Sequence, residues 1–254
     1  MARALRCRGG GQLDERGLIE RVVRRDRVLV AAALGLLTLL AWVYLAGPSA
    51  GGMRGEGDGM SGMAMPDTRP WGAGDLMVLF VMWSAMMVAM MLPAAAPTIL
   101  LVTGLARRRA GTDAPRVHTG LFLGGYLAAW VGFSAVAAYA QWLLHGAAVL
   151  TPGMALADPR VAGALLLFAG LYQWLPIRNV CLTHCRSPIG WLSSEWREGS
   201  AGAFLMGARH GAFCLGCCWA LMLLLFAAGV MNLVWVAAIA ALVLVEKVAP
   251  AGRV

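Results

Sequence analysis

Val28–Ala46 reads VLVAAALGLLTLLAWVYLA, nineteen residues without a charge. That matches the roughly 20 apolar residues a helix needs to cross a bilayer. Hydrocarbon offers no water to a bare N–H or C=O, so a lone segment of this kind must be helical. Comparable runs recur along the chain, at about 75–103, 118–144, 161–175, 201–228 and 232–248. They predict an all-α, polytopic membrane helical bundle of about six transmembrane helices. Only 13% of residues are charged, against about 25% in soluble domains. That leaves no room for a second large soluble domain. Residues 1–27 read as a basic cytoplasmic tail and 28–254 as a single integral membrane domain. Within it, 47–73 is a Gly- and Met-rich outer loop.

The formal net charge is +8, which in another chain could signal nucleic acid. Here eight arginines precede residue 28, no nucleic-acid module surrounds them, and an apolar run follows at once. They read as a topology signal. With the N-terminus in the cytoplasm, eighteen of the twenty-one Lys and Arg fall on cytoplasmic segments. Only Arg54, Arg69 and Arg160 face outward. Both termini are therefore expected in the cytoplasm, in a multi-pass protein of a bacterial inner membrane. LAGPS at 45–49 is a poor processing site, so the first span is expected to stay attached as a signal anchor.

Five of six cysteines fall between positions 181 and 218. A secreted disulfide scaffold would spread them through polar loops. The fifth span contains HGAFCLGCCW, and at 100° per residue His210, Cys214, Cys217, Cys218 and Met206 lie within about 120° of one another. Gly207 and Gly211 border that arc as a GxxxG pair, where a neighbouring helix can approach closely and bring further ligands. Thiolate, thioether and imidazole together select Cu(I), Zn(II) or similar ions over hard cations. Ionisable groups inside a span are costly and usually functional, which favours a site over plain burial of small cysteines.

Ahead of that span, the loop 177–200 carries CLTHC. Cys181, His184 and Cys185 share one face if it is locally helical. In span two, MWSAMMVAMMLP holds five methionines, with Met86 and Met90 the candidate ligands; packing is the competing explanation. Thioethers favour Cu(I) over Zn(II). Met60, Met63 and Met65 in the outer loop read either as a weak Cu(I) capture motif or as low-complexity drift. Glu246 is expected to face the bundle and support His210 or a ligand, while Lys247 is expected to snorkel to the headgroups.

Four blocks together resemble a bacterial family of predicted metal-binding integral membrane proteins, sometimes labelled copper-chaperone-like. They are MWSAMMVAMMLPAAAP (82–97), GLYQWLPIRNVCLTHCRSP (170–188), GARHGAFCLGCCWALM (207–222) and MNLVWVA…EKVAP (231–250). The resemblance runs over about residues 75–252 and leaves the N-terminal 70 outside. It implies metal ligation by Cys181, His184, Cys185, His210, Cys214, Cys217 and Cys218.

The favoured reading is a membrane protein that binds a soft metal ion, Cu(I) before zinc, for copper handling, delivery or translocation. Expected partners are the lipid bilayer and a periplasmic copper carrier or a membrane partner subunit, with no nucleic acid. No nucleotide-binding loop or phosphorylated-aspartate motif is apparent, so ATP-driven pumping is not expected and a non-enzymatic role is favoured. The alternative is a membrane thiol–disulfide oxidoreductase using the Cys pairs. Mid-helix burial and the helical spacing of Cys214 and Cys217 weigh against it. Haem binding ranks last, because only His210 lies deep in a span.

Overall fold

The computed structural model describes residues 7–47, 71–109, 115–151 and 154–249. Eight helices account for nearly all of them: α1 (Cys7–Ala46), α2 (Ala73–Arg109), α3 (Pro115–Gly146), α4 (Pro159–Trp174), α5 (Pro176–Arg186), α6 (Pro188–Ser194), α7 (Gly199–Ala228) and α8 (Leu233–Val248). No strand occurs among the described residues. The outer-loop methionines Met60, Met63 and Met65 lie outside the described residues.

Among the described residues, four helices are long and apolar enough to cross a membrane: Arg24–Ala46 of α1, Ala73–Arg107 of α2, Arg116–Gly146 of α3, and all of α7. Helix α1 begins at Cys7, so the described part of the basic tail is helical and continuous with the span. Two expectations about the elements need correction. Helix α2 runs through Pro93 and Pro97 to Arg109 instead of ending near Thr103. Interior prolines are tolerated in such helices when neighbours re-satisfy the freed carbonyls. The segment read as the polar loop 177–200 is largely the two short helices α5 and α6.

Prolines explain that last difference. Pro176 cannot continue α4 because it has no N–H to give. The same ring suits the first turn of a new helix, so α4 stops and α5 starts at once, bent by 65°. Pro188 opens α6 in the same way. Side chains cap two of the other starts. Asp158 accepts from Arg160 N at 2.8 Å ahead of α4, and Asn232 accepts from Val234 N and Trp235 N ahead of α8.

Helix α7 is the hub. It packs most extensively on α3, and also on α5, α4 and α8. The α3–α7 seam is close because it is built on small residues. A Cβ placed on Gly207 would lie 1.9 Å from the Phe122 carbonyl oxygen, and one on Gly125 would lie 2.0 Å from the Phe204 carbonyl oxygen. The close approach expected at the GxxxG pair is present, and α3 is the helix that makes it. Outside the bundle, large apolar side chains are bare, including Leu39 and Val43 of α1, Leu167, Leu171 and Trp174 of α4, and Val234 of α8. Charged side chains lock one end. Asp26 of α1, 2% exposed, accepts from Arg107 Nε at 2.6 Å and Arg116 Nη2 at 2.9 Å.

Candidate metal centre

Helix α7 presents Cys214, Cys217 and Cys218, all buried, to the interior. Helix α5 delivers Cys185 to them, because the 65° bend turns its Cys face toward α7. The four thiols lie within interaction range as a ring: Cys185 of Cys214 and Cys217, and each of those of Cys218. Cys217 and Cys218 Sγ also lie 3.0 and 2.9 Å from the Cys214 carbonyl oxygen, where a thiol of an i+3 or i+4 residue falls naturally. Cys181 stands at the rim. A Cβ on Gly216 would lie 3.0 Å from its Sγ, so the glycine lets α5 come this close.

Three more side chains complete the surroundings. Lys247 of α8 is 9% exposed and donates from Nζ to Cys214 Sγ at 2.7 Å. Tyr126 Oη of α3 lies 3.1 Å from the same sulfur and donates to the Met91 carbonyl oxygen at 3.1 Å. Met91 Sδ of α2 is 3.9 Å from Cys218 Sγ. Helices α2, α3, α5, α7 and α8 thus each send one or more side chains to one buried point. Tyr172 of α4 donates a hydrogen bond to the Gly216 carbonyl oxygen.

The imidazoles stand apart from the sulfurs. His210, 2% exposed, has its ring centroid 6.2 Å from that of His184 and 5.5 Å from that of Trp191. His184 stacks on Phe213 at 3.9 Å and on Trp191 at 4.7 Å. Met206, which shares the arc of His210, accepts from Arg197 N at 3.1 Å through its sulfur.

Two expectations at the end of α8 are overturned. Glu246 does not support His210. Its Oε2 lies 2.6 Å from Arg178 Nη2, an ion pair without hydrogen-bond alignment, and its carbonyl accepts from Arg186 Nε at 2.6 Å. Lys247 does not snorkel outward but turns in to Cys214. Side chains of successive helical residues point about 100° apart, and here the lysine took the inward position. Of the two methionines singled out, Met90 is buried in the core and Met86 lines a cavity of about 20 Å³ with Met82 and Met231. Met91 is the thioether next to the thiols.

Sequence reasoning missed Tyr126 and Trp191, and misjudged Lys247. A lysine inside an otherwise apolar helix was the available signal for the last. For the two aromatics the sequence offered none, since their roles depend on how α3 and α6 lie against α7.

Among the described residues, no group of three or more His, Cys, Asp or Glu side chains is disposed to hold a metal ion as the chain stands. The sulfurs instead meet one another, carbonyl oxygens and Lys247. Cu(I) needs fewer ligands than that, and methionine sulfur serves it as well. The five cysteines whose side chains are described are all free, so the disulfide alternative gains no support.

A protein-family model described as PpoB2, Copper chaperone, matches residues 80–254. No curated protein and no solved structure matches the chain. The matched span takes in α3 to α8, nearly all of α2, and every residue around the thiol ring.

Proposed function

Because the chain belongs to the copper chaperone family, we propose that it carries Cu(I) as cargo on the sulfurs of the half-buried Cys185 and the buried Cys214, Cys217 and Cys218. Met91 stands beside them as a thioether ligand. What carries the reading is the convergence of four thiols and one thioether from three helices. Soft sulfur donors of this kind suit Cu(I). Lys247 supports it too. Thiolates on a monovalent ion leave negative charge in a place with no water, and the ammonium 2.7 Å from Cys214 offsets it. Zinc, the second candidate, gains nothing from the nearby thioether.

The cavity lined by Met82, Met86 and Met231 is the proposed approach to the thiols, with Met91 as the next sulfur. Glu246 is proposed to hold α5 against α8 rather than to ligate. The bundle is proposed to cross an inner membrane six times. Helices α1, α2, α3 and α7 make four crossings, the bent pair α4–α5 a fifth, and α8, apolar but only 16 residues long, the sixth. Such a path keeps both termini in the cytoplasm, as the Lys and Arg distribution requires. The donor or acceptor of the ion is proposed to be a periplasmic copper carrier or a membrane partner subunit.

The test is copper per chain in the purified, reduced protein, wild type against the Cys214→Ser, Cys217→Ser double variant. The variant is expected to lose the tightly held, sulfur-bound copper. Equal copper content in both would remove the thiol ring from the function.

A further inference from the structure

Three buried nitrogens next to the thiol ring have no partner: His184 Nε2, His210 Nδ1 and Trp191 Nε1. Buried polar atoms are nearly always satisfied, and those that are not require an explanation. His210 is 2% exposed, so bulk water does not supply one. The indole N–H only donates and cannot ligate a cation, whereas each imidazole offers a lone pair when neutral. The ring planes of His184 and His210 are 34° apart and their centroids 6.2 Å apart. An ion shared by two imidazole nitrogens at about 2 Å each would set the centroids about 6 Å apart.

Position adds to this. His210 precedes Cys214 by one helical turn, about 6 Å along α7. His184 precedes Cys185, so α5 sends one residue to the pair of imidazoles and the next to the thiol ring. Phe122, Tyr126, Phe213 and Trp191 wall the pair in. Imidazole is a competent copper ligand of a different class from thiolate.

We propose that His184 and His210 form a second Cu(I) station, ligated by nitrogen, one turn from the thiol ring toward the Gly199 end of α7. The chain then holds two Cu(I) ions at once in chemically different sites. Cargo passes between them by exchange of one ligand at a time, with no change in oxidation state. This rests on the reading that the cargo is Cu(I).

X-ray absorption of the reduced, full-length protein, loaded with one and then two equivalents of Cu(I), tests it. The first equivalent is expected to show a sulfur shell, and the second to add nitrogen with the outer-shell scattering of imidazole. Replacing His184 by Ala, a partly exposed position, should lower capacity from two ions to one and leave the sulfur shell unchanged. Changing all four ring cysteines to Ser should leave one nitrogen-bound ion. If that variant does not fold, the wild-type titration still decides. Saturation at one equivalent, or a mixed sulfur and nitrogen shell at the first, overturns the second station. A first equivalent without sulfur would instead sink the thiol-ring reading, so the two failures are distinct.

Discussion

A lysine ammonium held 2.7 Å from a thiol sulfur inside an apolar bundle needs a compensating charge nearby. The neighbouring sulfurs can supply it as thiolates, and under the proposed function a copper-loaded ring would go on supplying it. Lys247→Met preserves the length and removes the charge. A hydrogen bond to a charged group contributes about 1.5–3 kcal/mol, so Cu(I) affinity should fall by roughly 10- to 100-fold in competition with a colorimetric Cu(I) chelator. Unchanged affinity would mean that the ammonium is a packing feature only. Glu246 separates the two roles that its sequence position leaves open. Glu246→Gln breaks the nearly buried pair with Arg178, a class of change that costs about 3–5 kcal/mol. Thermal stability should drop while copper per chain stays the same. A drop in copper with stability intact would instead give Glu246 a role at the metal site.

At the level of elements, the α3–α7 seam fixes where the site is. Backbone meets backbone at Gly125 and Gly207, and this brings Tyr126 to Cys214. Gly207→Leu puts a side chain where a carbonyl already is. Overpacking of that kind commonly costs about 1–3 kcal/mol, and the absence of a flexible neighbour places this case at or above that range. Size-exclusion profiles in detergent should shift from a single peak to aggregate, and a well-behaved variant would contradict the seam. This helix was legible in the sequence because two periodicities agree: the Cys and His arc and the GxxxG edge lie side by side on one cylinder. Helices α5 and α6 were not, since 11 and 7 residues are too few for a clear apolar period and polar composition looks like a loop. CLTHC was expected to gather its Cys and His residues on one face if helical; the segment is helical, yet the structure sends Cys185 to the sulfurs and His184 to an aromatic pocket. Only the angle at Pro176 decides that division, and an angle between helices has no local signature.

For the whole molecule, the apolar runs made the helical, membrane-type architecture legible, and the family match agrees with the blocks that resembled it. The proposed path of six crossings makes a prediction by parity: it brings the chain back to the side where it started. Reporter fusions at residue 254 and at the N-terminus should both be active in the cytoplasm and silent outside it. Opposite outcomes at the two ends would mean that α4–α5 or α8 does not cross. The clasp of Asp26 with Arg107 and Arg116 ties α1 to the ends of α2 and α3 that such a path places together.

The methionine-lined cavity between α1, α2 and α8 has a volume of about 20 Å³, enough for about one water molecule. An ion still wearing its hydration shell does not fit. On the proposed route, copper sheds its water at the threshold and moves from donor to donor, and a space for one water molecule holds no continuous thread of water for protons to follow. A metal handed on in that way needs no water-filled pore.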